Sequence, residues 1–422
     1  MRNVIPSLIF LIQLGLTFKG VDYFGKYGTP VLLLLVSLSI PLLYLVFQRK
    51  EESSSAPSIL PTTFSMRLIG AFIGVLSILL CAPAFRHSLI SYPHPEQISD
   101  VLPQLETLYQ RFSQDIFPYA PVPMVGYSPY PVYMPLHWLP VSISMVLQLD
   151  VRWTGFILLL VASAIYGFTV FNANRKMSSG LAITFPAIVL ITYLKWGGID
   201  LPVSLETVVA TYYLVLAAAL LNGNIFFLAT GIGLCLLSRY TLVFWLPLFA
   251  WLYFKSESLK KNVSLWAIVA TAVVLIYVFP FYLRDTTILK QGIKYHQRAV
   301  VDEWHGYGNP PVSYSFETGI YFAPFFKKIF NGSMEQRVFY TRVIQGALML
   351  LLNVMGIWFC EKRKLRLHPF IYSLLMLYTM IACFYFFSPL TYRYYLITVL
   401  MLSGVIAGSF LCERNIYSRR AN

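Results

Sequence analysis

Apolar runs recur along the chain at 4–18, 30–47, 67–85, 153–171, 180–195, 205–221, 225–238, 241–254, 263–281, 338–359, 368–386 and 394–411. An α-helix needs about 20 apolar residues to cross a bilayer, so the pattern predicts an all-α polytopic membrane protein with about twelve transmembrane helices. Two runs, 225–238 and 241–254, are short and meet at Ser238-Arg239-Tyr240. The 4–18 run lacks a small-residue cleavage site and is soon followed by a second span, so it reads as a retained helix and not as a signal peptide. A different period appears at 98–112, where Ile98, Val101, Leu102, Leu105, Leu108, Tyr109 and Phe112 are spaced by threes and fours. This predicts an amphipathic helix, with its first turn beginning at Pro103.

Charge gives the runs a direction. With the N-terminus inside, the inner connections carry Arg2, Arg49, Lys50, Arg67, Arg175, Lys176, Lys255, Lys260, Lys261, Lys362, Arg363, Lys364, Arg366, Arg414, Arg419 and Arg420. The short outer connections carry only Lys19, Lys26, Lys195, Arg239 and Arg393. This asymmetry predicts cytoplasmic N- and C-termini. The 132–149 segment is apolar enough to span, yet a crossing there would invert the following loops. It also holds Pro135, His137 and Pro140, so a helix lying in the interface is expected. Two large outer loops result, 86–152 and 282–337. The expected organisation is two N-terminal helices with a linker (1–66), a central module (67–337) and C-terminal helices (338–422).

Composition agrees. The 422 residues are 57% hydrophobic and 12% charged, about half the charge of a soluble domain, with mean hydropathy +0.65. A soluble enzyme, a disordered chain and a disulfide scaffold are excluded. The net charge of +14 is accounted for by loops facing anionic lipid; membrane lipids are the expected partner and nucleic acid is not. The cysteines Cys81, Cys235, Cys360, Cys383 and Cys412 fall within or at the ends of apolar runs and read as packing residues.

Candidate chemistry concentrates in the outer loops. Asp100 precedes the amphipathic helix at the lip of the membrane; it either complements the helix dipole or serves a reaction. A proline–aromatic tract follows, including Tyr130, Tyr133, His137 and Trp138. Its rings either anchor at the interface or stack on a sugar. The loop closes on Asp150 and Arg152, which either pair with each other or face a ligand. Arg239 and Arg393 lie at the same height, as snorkelling side chains or as anion ligands. The second loop offers His296, Arg298, Asp302, Glu303, His305 and Tyr307, with Gly306 and Gly308 giving it freedom to act as a lid. The spacing of nine between His296 and His305 matches no standard metal motif. Asp200 and Glu206 stand near the outer end of a span.

In order along the chain, Ile98-Ser99-Asp100-Val101-Leu102-Pro103, the stretch 130–138, Arg152, the glycine-rich 231–241 and Phe279-Pro280-Phe281-Tyr282 resemble the C-type integral-membrane glycosyltransferases. The resemblance covers about residues 67–300, leaving the two N-terminal helices outside it. It departs from the family in having Arg239 where lysine is usual and in lacking a double proline. It also lacks the Asp-X-Asp or Glu-X-Asp pair of the metal-dependent pyrophosphate users, so neither metal nor cofactor is implied.

The resemblance implies an inverting transfer, at the outer face of a bacterial inner membrane, from a polyprenyl-phosphate-linked sugar to a lipid or glycan acceptor. Asp100 would be the general base, and Arg239, Arg152 and Arg393 would bind the donor phosphate. Tyr130, Tyr133, His137, Trp138, His296 and His305 would contact substrate. Two alternatives stay open: a lipid-linked sugar flippase or transporter, and a polysaccharide polymerase or ligase.

Overall fold

The computed structural model describes residues 4–48, 63–92, 99–124, 127–171, 176–307, 311–363 and 368–411. Arg2, Arg49, Lys50, Ile98, Arg175, Gly308, Lys364, Arg366, Cys412, Arg414, Arg419 and Arg420 lie outside the described residues, as does linker segment 49–62. The described chain is helical, with two isolated bridges and no strand.

The helices are α1 (Ile5–Gln48), α2 (Phe64–Leu79), α3 (Ala82–Ser91), α4 (Val101–Ser113), α5 (Pro135–Trp138), α6 (Val141–Val146), α7 (Trp153–Val170), α8 (Lys176–Ile183), α9 (Phe185–Trp196), α10 (Glu206–Asn222) and α11 (Ile225–Leu236). A 3-10 turn at Tyr240–Phe244 leads into α12 (Leu246–Ser256). Then α13 (Leu259–Val273) runs into a π-helical stretch, Val274–Tyr282, followed by α14 (Ile288–His305), α15 (Ala323–Ile329), α16 (Met334–Arg363), α17 (Pro369–Phe386) and α18 (Leu396–Leu411). Seven helices are individually long and apolar enough to cross a membrane, and α8 with α9 make an eighth if their 41° bend is one broken span. Pro186 enters at the start of α9, and its missing N–H accounts for a break there.

Helix α1 covers both of the first two apolar runs, but it is not one rod. Gly25 adopts φ +66°, ψ 174°, a backbone state open to glycine. The Gln13 amide donates to Ser37 Oγ at 2.8 Å, although 24 helical residues would separate them by about 36 Å. The chain therefore folds back at Gly25 into an antiparallel hairpin.

The centre is built from α10, α17 and α18. Every residue of α10 from Glu206 to Leu220 is buried, as expected of a helix that is apolar all round. Around it pack α7, α11 and α17, with α1, α8 and α9 on α18. Helices α13 and α16 are mostly exposed along their apolar lengths, the signature of lipid-facing elements. The two large loops meet the same end of this bundle. Ser99 Oγ donates to the Val203 carbonyl at 2.8 Å, Leu136 N–H to Leu237 at 2.8 Å and Trp304 Nε1 to Pro389 at 2.6 Å. At that end Lys26, in the α1 hairpin turn, also pairs with Glu317 at 2.7 Å.

Two elements differ from expectation. The amphipathic helix begins at Val101, two residues before Pro103, which fits inside the first turn where no N–H partner is needed. The 132–149 segment forms two short helices, α5 and α6, because Pro140 interrupts it. The second loop, expected as a lid and to contain an interfacial helix, holds the 18-residue α14.

Helices α2 and α7 approach closely through small residues. A Cβ on Gly74 would lie 2.2 Å from the Ser163 carbonyl oxygen, and one on Gly167 would lie 2.1 Å from that of Gly70. Backbone cannot yield as a flexible side chain can, and such contacts hold membrane helices together. Gly74→Val should therefore destabilise the detergent-solubilised protein by about 2 kcal/mol or more, seen as a lower thermal unfolding midpoint. Gly346→Ala, with nothing within 4 Å of the added atom, should leave that midpoint unchanged or slightly raised; equal losses in both variants would refute the close-packing account.

Candidate active site

The site assembles where the first large loop meets the outer ends of α10 and α11, as oriented by the charge pattern. Glu206 opens α10, where its carboxylate complements the helix dipole. Arg239 follows α11 in extended conformation, and its Nη2 donates to Glu206 Oε1 in a close ion pair. The Glu206 side chain is 1% exposed. The Arg239 guanidinium also lies 4.4 Å from the centre of the Tyr395 ring, a favourable placement over the π face. Gly231 allows α11 this approach: a Cβ there would come within 2.9 Å of Leu216 Cα on α10.

The proline–aromatic tract docks beside this pair. Leu136 is held through both backbone groups, its N–H on Leu237 and its carbonyl accepting from Tyr212 at 2.9 Å. Tyr119 donates to the Tyr133 carbonyl at 2.9 Å and accepts from Trp138 Nε1 at 3.2 Å. Phe281, from the expected proline–aromatic exit, packs against Phe112, Tyr119 and Trp138 with ring centres 5.5–5.8 Å apart. These rings join the first loop to the end of the α13 segment.

Asp100 stands just before α4. Its neighbour Ser99 both anchors to Val203 and accepts from Val101 N–H at 3.2 Å. The Asp100 side chain makes no capping bond, so its carboxylate is left for other use. Burial pushes its carboxyl above the ordinary carboxylate value, opposed in part by its own backbone N–H. Burial likewise holds the Tyr133 phenol well up; Asp100 adds to that shift and Arg239 opposes it. Tyr133 thus lies within electrostatic reach of both groups.

The other expected residues separate into two sets. His137 is beside Arg239, 1% exposed, with its ring edge-on to Tyr133 at 5.1 Å. Burial, then Arg239, drives its pKa well down, so it is neutral. His296, on α14, faces the same region: its Nδ1 is 3.5 Å from Arg342 Nη2. Burial, Arg342 and Arg239 lower its pKa to about 4. Tyr130 is buried, and burial followed by Asp285 pushes its phenol up to about 12.

Trp138 corrects the expectation that it stacks on substrate. It is fully buried, its N–H is used by Tyr119 and neighbouring rings cover it. Arg152 is 3% exposed, chelates Asp150 through Nε and Nη2 at 2.8 and 2.5 Å, and donates to the Tyr92 carbonyl at 2.6 Å. It serves as a loop brace. Arg393 lies 3.4 Å from Asp200 and 5.8 Å from the Phe18 ring centre, directed to the α1 hairpin. Burial pushes the Asp200 carboxyl up to about 6, with Arg393 pulling it back. His305 is exposed, nine residues and about 13 Å along α14 from His296. Among the described residues no three His, Cys, Asp or Glu side chains gather as a metal site would require.

Arg342 is the residue missed from sequence. It is half-buried at the outer end of α16, beside His296. An arginine inside the 338–359 apolar run was the available signal, since a charge there is costly unless used. No protein-family model matches the chain, and no curated protein or solved structure matches it significantly.

The two kinds of charge predict opposite stability effects. Asp100 has a raised folded-state pKa, so the fold holds its proton more tightly than the unfolded chain does. Its ionisation weakens the fold as pH rises from near 4 through the folded-state value. Asp100→Asn should therefore leave the unfolding midpoint unchanged or raise it at pH 7, with no gain at pH 3. Arg239→Ala leaves Glu206 buried and unpaired and should cost about 3 kcal/mol or more. Unfolding midpoints across pH 3–8 check both, and a loss of stability in Asp100→Asn at pH 7 would show a structural role for that carboxylate.

Proposed function

We propose that the chain is an inverting glycosyltransferase of the C type, with twelve membrane crossings, cytoplasmic termini and a site open to the outer face of a bacterial inner membrane. Its donor is a sugar on a polyprenyl phosphate, and its acceptor is a hydroxyl on a lipid or glycan. One observation carries this reading. A partly desolvated carboxylate, Asp100, without an ion-pair partner among the described residues, and a half-buried cation, Arg239, both lie within electrostatic reach of Tyr133 at the end of the bundle that both large loops meet. The folding back of α1 at Gly25, the bent α8–α9 pair and the short helices α10, α11 and α12 support the higher crossing number.

The chemistry follows from these groups. The acceptor hydroxyl gives its proton to Asp100 as its oxygen bonds to the anomeric carbon. The bond from that carbon to the phosphate oxygen breaks, and the electron pair leaves with the lipid phosphate. Attack opposite the leaving group inverts the anomeric centre. The phosphate needs no proton on departure, so one carboxylate suffices where glycosidases use two. Arg239 and Arg342 flank His296 electrostatically and supply fixed positive charge for the departing phosphate. His296 stays neutral above about pH 5 and adds no titration to the rate.

With purified protein, radiolabelled polyprenyl-phosphate sugars and a membrane-lipid and glycan extract, wild type should transfer sugar. Asp100→Asn should lower that transfer by about 100-fold or more while still binding donor. The wild-type rate should climb with pH as Asp100 loses its proton, with a midpoint above the ordinary carboxylate value. Arg342→Ala should weaken binding of the bare polyprenyl phosphate about tenfold or more. Unchanged transfer in Asp100→Asn removes it as the base. Transbilayer movement of donor in liposomes without transfer makes the chain a flippase, and turnover of only a pyrophosphate-linked lipid makes it a polymerase or ligase.

A further inference from the structure

Among the described residues, four buried polar atoms around Arg239 have no hydrogen-bond partner: Arg239 Nε, Glu206 Oε2 and both ring nitrogens of His137. Glu206 and His137 are each 1% exposed. Leaving such an atom unsatisfied costs about 1–3 kcal/mol, so several together around one guanidinium call for a polar guest. Their proximity has a structural cause. Glu206 is paired to Arg239. The residue before His137 is bonded to Leu237, two positions before Arg239, and to Tyr212 on α10.

The donor and acceptor pattern defines the guest. Arg239 Nε donates and Glu206 Oε2 accepts. A neutral His137 supplies one of each, giving two donors and two acceptors. An anion would meet two acceptors as well as two donors. A cation meets the converse obstacle. A hydroxyl both donates and accepts, so adjacent hydroxyls fit all four atoms.

We propose that His137, Glu206 and Arg239 line a buried subsite for a neutral polyhydroxyl group and that, on the reading given above, this group is the sugar of the donor. His137 is then a residue that determines which sugar is taken. The lipid phosphate is held separately, by Arg342 and the remaining edge of Arg239.

The test uses thermal unfolding of the full-length protein in detergent with methyl glycosides of hexoses, pentoses and N-acetylhexosamines at tens of millimolar, and their deoxy analogues. At least one glycoside should raise the wild-type midpoint, and its deoxy analogue should do so less. The rise should vanish in His137→Leu and persist in part in His137→Gln, each judged against its own sugar-free midpoint. If His137→Leu does not fold, the glycoside against deoxy-glycoside comparison in wild type and His137→Gln decides. No protection by any glycoside, or equal protection by the deoxy series, overturns the subsite and leaves ordered water as the guest. The transferase reading fails separately: protection without any transfer keeps the subsite and removes the transferase. Transfer with donor preferences unchanged in His137→Leu keeps the transferase and removes the subsite.

Discussion

The Glu206–Arg239 pair is the constraint on which the rest of the site depends. Helix α10 is buried on all sides, so its first turn must end in low-dielectric surroundings. An acid there is favoured by the helix dipole but is costly without a counter-charge. Arg239 meets that need only because the chain leaves α11 in extended form and turns back towards α10. That short, irregular crossing keeps α11 and α12 shorter than ordinary spans. The same irregular backbone offers the Leu237 carbonyl, which accepts the Leu136 N–H and so docks the first large loop. The charge pair, the junction of two short helices and the docking of the first large loop thus coincide at one place.

Charged groups at this end divide by whether a partner satisfies them. Arg152 is chelated by Asp150, Arg393 is drawn to Asp200, and Glu303 accepts from both Ser313 and Ser315. The first and third brace one large loop each internally, and the second joins two short connections. Asp100 differs: Ser99 performs the local capping and anchoring, leaving the neighbouring carboxylate without an ion-pair partner among the described residues. A desolvated carboxylate without a structural task is poorly explained by stability, which is the ground for proposing it as the base.

Much of this was legible in the sequence, and the exceptions have physical reasons. The apolar runs appear as helices because each must hydrogen-bond its backbone internally in lipid. The amphipathic helix after Asp100 follows its three-and-four spacing because only one face meets the bundle. Neighbours in sequence were harder to separate. His137 and Trp138 share a four-residue helix, yet Trp138 is consumed by the ring cluster of Phe112, Tyr119 and Phe281 while His137 turns to Arg239. Two of the residues that make this division, Phe281 and Arg239, are more than 100 positions away, which local pattern does not carry. Arg342 was hidden for a related reason: within an apolar run it reads as part of a span, and only the fold brings α14 and His296 against it. Helix α14 itself is largely polar, so its order comes from tertiary anchors such as Trp304 on Pro389.

The α1 hairpin shows how a part of the chain distant in sequence from the candidate residues bears on the site. Inside the bundle, Gln13 bonds both Ser37 and Tyr378 Oη, tying the hairpin to α17 through polar contacts where an apolar surface alone gives little preference between helices. At the loop end, Lys26 pairs with Glu317, the Gly319 backbone at φ +63° fits against Val21 and Lys26, and Lys328 lies over the Tyr27 ring at 5.6 Å. An exposed ion pair contributes little by itself. Acting with the close backbone approach and the ring contact, it fixes one end of the second loop, while Trp304 and Glu303 hold the middle. The same loop carries His296, 3.5 Å from Arg342, so the hairpin contacts one of the two loops that build the site.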